Sequence, residues 1–402
     1  MSQGPSHDQG ARVAIVELGS FAPRTSFTLS ARAVFCRLLS TGPATRPQLC
    51  EALNLSRPTM SAAMGELSKL GYVEVIGEVQ GLTGRKAAMY RLGSGAGHII
   101  AIDAGSTHIR LRVSTLDGRA LYSRTYRLGS NQRHLSAEIS SVVDQAVREA
   151  RDKTEESWGP LRVLGIAVPT RVSDDGASNA SPTRQSNLFS DFEPPNNIPL
   201  ILENNVNCAA IAESKYGSAS GRADFAFLQV GVKIGMGVVL KGELVRGRNG
   251  AAGEISYLPF PWTPTSEPVP EELENYIGSE AFMHRVTNAW PVDSEAPEDA
   301  AALFAMAEQG NDTAIVHIKR HAEDIGRLVA ACVSIIDPGF VVLGGGIGSN
   351  PVLLPYVQEA VDRLSYPTQI VTSSLGTNAT LLGIAKLAAE HAQERLMGDN
   401  AA

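Results

Sequence analysis

Gly247-Arg248-Asn249-Gly250-Ala251-Ala252-Gly253-Glu254-Ile255-Ser256-Tyr257 places three glycines within seven residues and one carboxylate directly after the last of them. Glycine adopts positive φ without steric cost and lets backbone come close to another group, so such a stretch can wrap a ligand and present Glu254 to it. Taken alone it reads more readily as an ordinary tight loop. The segments on either side decide between the two.

A chain of 402 residues with 43% hydrophobic and 19% charged residues is long enough for several cores and has the composition of a globular protein. Its four cysteines, Cys36, Cys50, Cys208 and Cys332, are scattered and form no C-x-x-C, which argues against a disulfide framework or a zinc ribbon. Residues 1–20 lack a basic stretch followed by an apolar one, and no run of eighteen apolar residues occurs, so a cytoplasmic protein without membrane contact is expected. Charge is uneven. Between Arg24 and Gly93 nine Lys/Arg face four Glu, an excess of five positive charges in a chain whose net charge is −7. One basic module in an acidic protein points to a local polyanion partner.

Residues 1–23, rich in Ser, Gly, Pro and Gln at their start, are expected as a flexible arm. Helical spacing runs from Leu29 to Ser40 and stops at Thr41-Gly42-Pro43; a second short helix spans Arg46 to Leu53, and Asn54-Leu55 makes a turn. Ser56 then reads as an N-cap with Pro58 in the first turn, and Met60, Ala63, Met64, Leu67 and Leu70 recur at helical spacing up to Gly71. Two strands, 72–76 and 87–92, flank Gly81-Leu82-Thr83-Gly84-Arg85-Lys86, a hairpin with a basic tip. Residues 24–93 therefore read as a winged helix-turn-helix, whose third helix offers Ser56, Arg57, Thr59 and Ser61 to the major groove while Arg85 and Lys86 hold the wing to the minor groove or phosphates. A protein-binding winged helix is the alternative.

Gly93-Ser94-Gly95-Ala96-Gly97 reads as a flexible linker. Beyond it, His98 to Val113 is strand, turn, strand with Asp103, Gly105 and Thr107 at the turn, and Phe227 to Leu240 repeats that plan around Gly231 and Gly235. Between them lie a helix over 136–153, a buried strand over 163–169, a polar loop over 181–188 and Glu203-Asn204-Asn205-Val206-Asn207-Cys208-Ala209-Ala210. Helical patterns over 297–309 and 312–336, a strand running into Gly344-Gly345-Gly346, and a helix over 380–396 complete the chain.

These segments resemble the ROK family of bacterial sugar kinases and sugar-responsive repressors. The glycine loop is similar to G-A-A-G-E-I-G-H, residues 103–107 to D-x-G-x-T, 203–210 to E-N-D-x-N-x-A-A, 337–346 to D-P-x-x-I-V-L-G-G-G, and L-N-L-S-R-P-T-M with T-G-R-K to the repressors' N-terminal part. The resemblance spans about residues 29–390. It implies an α/β chain: an N-terminal winged helix-turn-helix followed, over 97–402, by a two-lobed actin-like (ribonuclease H-like) ROK domain, with the C-terminal helix returning to the first lobe. It further implies a sugar or sugar-phosphate effector held by Asn204, Asn205, Glu254 and Glu274. The phosphate hairpins at Asp103, Gly105, Thr107, Gly231 and Gly235 are then vestigial.

Departures from the family pattern carry as much information as the matches. In the kinases the aspartate of E-N-D removes the proton from the sugar hydroxyl; here the residue is Asn205, and an amide cannot take that proton. Val232 and Lys233 replace the Thr and Gly of the second phosphate loop. The family's zinc ligands are missing too, since residues 257–270 contain neither Cys nor His, so no metal and no cofactor are expected. The expectation is a repressor without a catalytic residue, acting on double-stranded operator DNA as a homodimer or homotetramer. A regulator that answers to a protein, and an active ATP-dependent sugar kinase, are the alternatives.

Overall fold

A computed structural model describes residues 14–16, 27–80, 86–129, 136–172, 198–261 and 267–397. Within the basic segment, α1 (Leu29–Thr41), β2 (Ala44–Thr45), α2 (Arg46–Leu53), α3 (Arg57–Lys69), β3 (Val73–Gln80) and β4 (Lys86–Leu92) follow the short strand β1 (Ala14–Val16). Local chemistry sets these boundaries. Thr45 and Gln48 form a reciprocal capping box on α2, Asn54 ends that helix in the left-handed region, and the Ser56 hydroxyl accepts from Thr59 N to start α3. Strands β3 and β4 pair antiparallel and β2 adds a third strand on the far side of β4. Val34, Phe35, Leu38, Leu49, Met60 and Met64 fill the space between the helices and this sheet.

The rest forms two lobes. In the first, β5 (His98–Ala104), β6 (His108–Thr115) and β7 (Ala120–Arg127) precede α4 (Ala137–Asp152), β8 (Leu161–Val168) and β9 (Leu200–Asn204), giving a sheet in the order β1-β9-β8-β5-β6-β7. Helix α4 covers one face of it. Helix α5 (Asn205–Tyr216) leads into the second lobe, where β10 (Phe225–Val230), β11 (Ile234–Leu240) and β12 (Glu243–Val245) are followed by α6 (Glu272–Ile277), α7 (Ser279–Asn288), α8 (Ala300–Glu308) and α9 (Asp312–Ile336). Next come β13 (Phe340–Gly344), α10 (Gly345–Gly348), α11 (Leu354–Leu364) and β14 (Gln369–Thr372), giving the order β12-β11-β10-β13-β14. The last helix, α12 (Ala379–Met397), packs on the first-lobe sheet through Ile384 and Ala388, over Gly165 of β8. Among the described residues no helix is long and apolar enough to cross a membrane.

Two expectations need correction. Ala14–Val16, expected within a flexible arm, pairs antiparallel with Leu200–Leu202 of β9. An Ala-Ile-Val run suits a strand, and β9 would otherwise be a sheet edge with unpaired backbone groups. Residues 93–97, expected as a flexible linker, form a packed turn: Gly95 N donates to Gly71 O at 2.9 Å, and Ala96 is 1% exposed. Glycine is present here because of crowding, since a Cβ on Gly95 would lie 2.0 Å from Leu70 O. Arg162 of β8 clamps the turn from the first lobe, donating from Nε to Ala96 O (3.0 Å) and from Nη2 to Gly95 O (2.7 Å), with its guanidinium 5.9 Å from the Tyr72 ring centroid.

The winged unit therefore docks on the first lobe. Its core is continuous with the layer between the first-lobe sheet and α12, through Ala96, Leu116, Ala392 and Met397, and Gln393 of α12 donates to Cys36 Sγ of α1 at 3.2 Å. Arg162→Ala removes two hydrogen bonds from the clamp, a loss of about 1–3 kcal/mol locally. Hydrogen exchange at the amides of Gly95 and Gly97 should accelerate while that of α9 stays as in the wild type; unchanged exchange at both glycines would contradict the clamp.

Candidate functional site

Gly253 fixes the glycine loop. Its φ is +82°, its carbonyl accepts from Met236 N at 3.0 Å, and a Cβ on it would stand 1.7 Å from Met236 O. Only glycine can lie against β11 in this way. Gly247 and Gly250 also have positive φ. The loop thereby borders a cleft of about 310 Å³ between the lobes, at the small end of the roughly 300–1,000 Å³ common for small-ligand sites.

Of the residues assigned to an effector, Asn204, Asn205, Glu254 and Glu274 all line this cleft. Their side chains are not equally available. Asn204 Oδ1 caps α5, accepting from Val206 N (2.8 Å) and Asn207 N (3.2 Å), and its Nδ2 donates to Thr170 O, leaving one amide hydrogen. Glu274 is 4% exposed and accepts from Ile234 N at 3.1 Å, tying α6 to the start of β11. Glu254 is half-buried; burial raises its carboxyl above the ordinary value, while the positive charges of Lys233 and Arg171 pull it back. Asn205 stands at the first turn of α5, where its backbone carbonyl accepts from Thr380 Oγ1 at 3.2 Å. The polar loop 181–188 lies outside the described residues.

Sequence reading missed the contact that holds the cleft's two sides together. Arg246, just before the glycine loop in the second lobe, donates from Nε to Glu203 Oε2 of β9 at 2.8 Å, with side-chain exposures of 13% and 3%. The other oxygen of Glu203 accepts from Asn204 N (2.9 Å) and Asn207 Nδ2 (3.0 Å). One carboxylate thus positions both α5 and the glycine loop. Lys233 makes a second bridge, donating to Pro169 O of the first lobe at 3.2 Å. Nothing in the spacing of 203, 233 and 246 announces these pairings. Glu271, held with φ +66° and accepting from the Tyr257 hydroxyl at 3.2 Å, is another lining residue with no sequence signal.

A second cleft, about 630 Å³, adjoins the first and is lined by Asp103, Gly105, Thr107 and Gly231. Asp103 is paired with Arg110 (3.2 Å) and buried, and burial pushes its carboxyl up to about 6 against the pull of that arginine. The Thr107 hydroxyl lies 2.9 Å from His108 Nδ1. Gly235, grouped by sequence with the phosphate loops, serves helix packing: a Cβ there would come within 2.9 Å of Val206 Cγ2 on α5. Among the described residues no group of His, Cys, Asp and Glu could hold a metal ion, and the donor chemistry after the glycine loop does not fit zinc.

On the winged unit, Ser56, Arg57, Thr59 and Ser61 are exposed at the start of α3, with Ser56 Oγ and Thr59 Oγ1 2.8 Å apart in the cap. Lys86 is exposed beside Glu78 (3.7 Å), and Arg85 lies outside the described residues. The exposed set at the start of α3 and the cleft set are separate surfaces of one chain.

Comparisons with known proteins agree with this architecture. The ROK family pattern matches residues 99–391. The xylose repressor of Bacillus spizizenii is 24% identical over 365 residues, covering 88% of this chain and 93% of that protein. Among solved structures, a ROK family transcriptional regulator described as a homolog of the E. coli MLC protein superposes with a TM-score of 0.68 at 18% identity, over 92% of this chain and 97% of that one. A ROK family glucokinase from Streptomyces griseus, solved with glucose and AMPPNP, gives 0.62 at 23% identity, over 73% of this chain and all of that one.

Replacing Arg246 by Ala strands the Glu203 carboxylate in the interior, a change that costs about 3–5 kcal/mol for a buried pair. A correspondingly lower urea midpoint at pH 7 is expected, and an Arg246→Ala protein as stable as the wild type would refute the bridge.

Proposed function

The chain belongs to the ROK family, and we propose that it is a DNA-binding repressor of carbohydrate genes whose hold on its operator is set by a sugar or sugar phosphate in the cleft. The observation that carries this reading is the union of a winged unit with an exposed α3 start, docked through residues 93–97 on the first lobe, with a cleft lined by Asn204 of that lobe and Asn205 at the start of α5. The xylose repressor of Bacillus spizizenii, similar over 88% of this chain and 93% of its own length, supports it.

Recognition would run through Arg57, whose guanidinium can make paired hydrogen bonds to a guanine edge, with Ser56, Thr59 and Ser61 beside it and Lys86 and Arg85 on phosphate or minor groove. Two such units in a homodimer or homotetramer would read half-sites a helical turn apart, roughly 34–36 Å. The effector's hydroxyls would meet Glu254, the remaining amide hydrogen of Asn204 and the Asn205 amide, groups that accept and donate in pairs. Sugar would be held without being phosphorylated, because Asn205 cannot act as a base. An effector moves the operator equilibrium only by its preference for one lobe arrangement over another.

Arg57→Ala should weaken binding to the selected operator by about 1–3 kcal/mol while leaving non-specific DNA affinity nearly intact, whereas Lys86→Ala should lower both alike and reduce the salt slope by about 1. Fluorescence anisotropy on DNA selected from a random pool measures this. Wild-type operator affinity in Arg57→Ala would remove α3 from the interface.

A further inference from the structure

Asn205, Gln229 and Lys233 line both clefts, so the smaller one opens into the larger past these three residues. Lys233 is a strut there: its ammonium donates to Pro169 O of the first lobe, and its charge acts on the Glu254 carboxyl. The other two are differently placed. Asn205 meets α12 through its backbone carbonyl, which accepts from Thr380 Oγ1, and the backbone of Gln229 is paired with β11 and β13. Both residues are half-buried, and among the described residues no hydrogen bond engages either side-chain amide. A partly buried amide without a partner is a cost that a bound ligand removes.

We propose that the effector is a neutral disaccharide that lies through this throat, with one ring against Glu254 and Asn204, the linkage beside Asn205 and Gln229, and the second ring in the larger cleft. The inference rests on the sugar-responsive reading of the cleft and names the class of its ligand. A glycosidic linkage presents an ether oxygen, which only accepts, next to ring hydroxyls, which donate and accept. Two amides, each with two donor hydrogens and an acceptor oxygen, answer all three needs without bringing a charge. The smaller cleft, about 310 Å³, stands at the low end of small-ligand sites, and the space it opens into is about twice as large. A single ring leaves that larger space and the throat amides unused.

Charge in the larger cleft sets what its occupant can be. Four carboxylates line it, Asp103, Glu280, Glu298 and Asp299, against two cations, Arg110 and Lys233. Arg110 is held by Asp103 at 3.2 Å, and Asp299 accepts from Ala302 N at 2.8 Å as the cap of α8. An excess of negative charge between two walls repels a polyanion. Neutral hydroxyls meet no such penalty, since a carboxylate accepts from them, and Ser106 on the β5–β6 turn and Ser349 at the end of α10 add hydroxyls from both lobes.

The test is calorimetric titration of the full chain with maltose, cellobiose, xylobiose, lactose and diacetylchitobiose, each beside the monosaccharides it contains. Wild-type protein should bind one disaccharide at least about tenfold more tightly than either of its monosaccharides, a difference of about 1.4 kcal/mol. Thr377→Trp adds bulk at an exposed position in the wall of the larger cleft, so it should abolish the preference and leave monosaccharide affinity as in the wild type, which also shows the variant to be folded. Gln229→Leu should narrow the preference by weakening the disaccharide more than the monosaccharide. A monosaccharide bound as tightly as every disaccharide that contains it, or a preference undiminished by either substitution, overturns this inference and leaves the sugar-responsive reading standing. Binding of no carbohydrate at all overturns both.

Discussion

Helix α12 crosses α5 so closely that residue 383 must be glycine: a Cβ there would lie 1.8 Å from the Cys208 carbonyl oxygen. Much of the architecture depends on this crossing. From it, α12 runs across the first-lobe sheet and ends against the winged unit at Ala392, Gln393 and Met397. On its other side α5 lies against β11, where Gly235 and Gly237 make room for Val206 and Ala210. The helix that begins at Asn205 in the cleft is thereby wedged between the second-lobe sheet and the helix that touches the winged unit. Cores packed at this density shift between discrete arrangements and do not deform smoothly, which suits such a chain of contacts to carrying a cleft event to the winged unit.

Polar contacts tie the two lobes together on either side of the cleft. Glu203 and Arg246 join the lobes at one end, and Lys233 joins them through Pro169 O at the other. Each bond belongs to one relative position of the lobes. A ligand that favours a different position must supply the energy of any bond it breaks, and a 100-fold preference between arrangements corresponds to about 2.7 kcal/mol. On the proposed function, a ligand with that preference could change operator affinity by no more than the same factor.

Local features were readable in the sequence because their causes are local. Ser56 before α3, the Thr-x-x-Gln start of α2, the glycines of the 247–257 loop and the alternation of strands and helices all declare themselves within a few residues. What failed or went unseen depends on partners far along the chain. Gly93–Gly97 has the composition of a linker, yet Arg162 and Leu70 make it a packed turn. Ala14–Val16 needed the exposed edge of β9 to become a strand. Asn204 and Glu274 were legible as cleft residues, but not that a helix cap and the Ile234 amide already engage them. Arg246 gave no signal, because an arginine before a glycine loop is ordinary until β9 brings Glu203 to it.

The central claim is that occupancy of the cleft reaches the recognition helix. Its most direct test is the operator dissociation constant of the full chain measured against rising concentration of a carbohydrate that binds it, in wild type and in Glu254→Gln. The account predicts a saturable change of up to about 100-fold in wild type, and in Glu254→Gln the ligand-free operator affinity of the wild type with no response. An operator affinity indifferent to a bound carbohydrate, or a Glu254→Gln chain that responds as the wild type does, would contradict it.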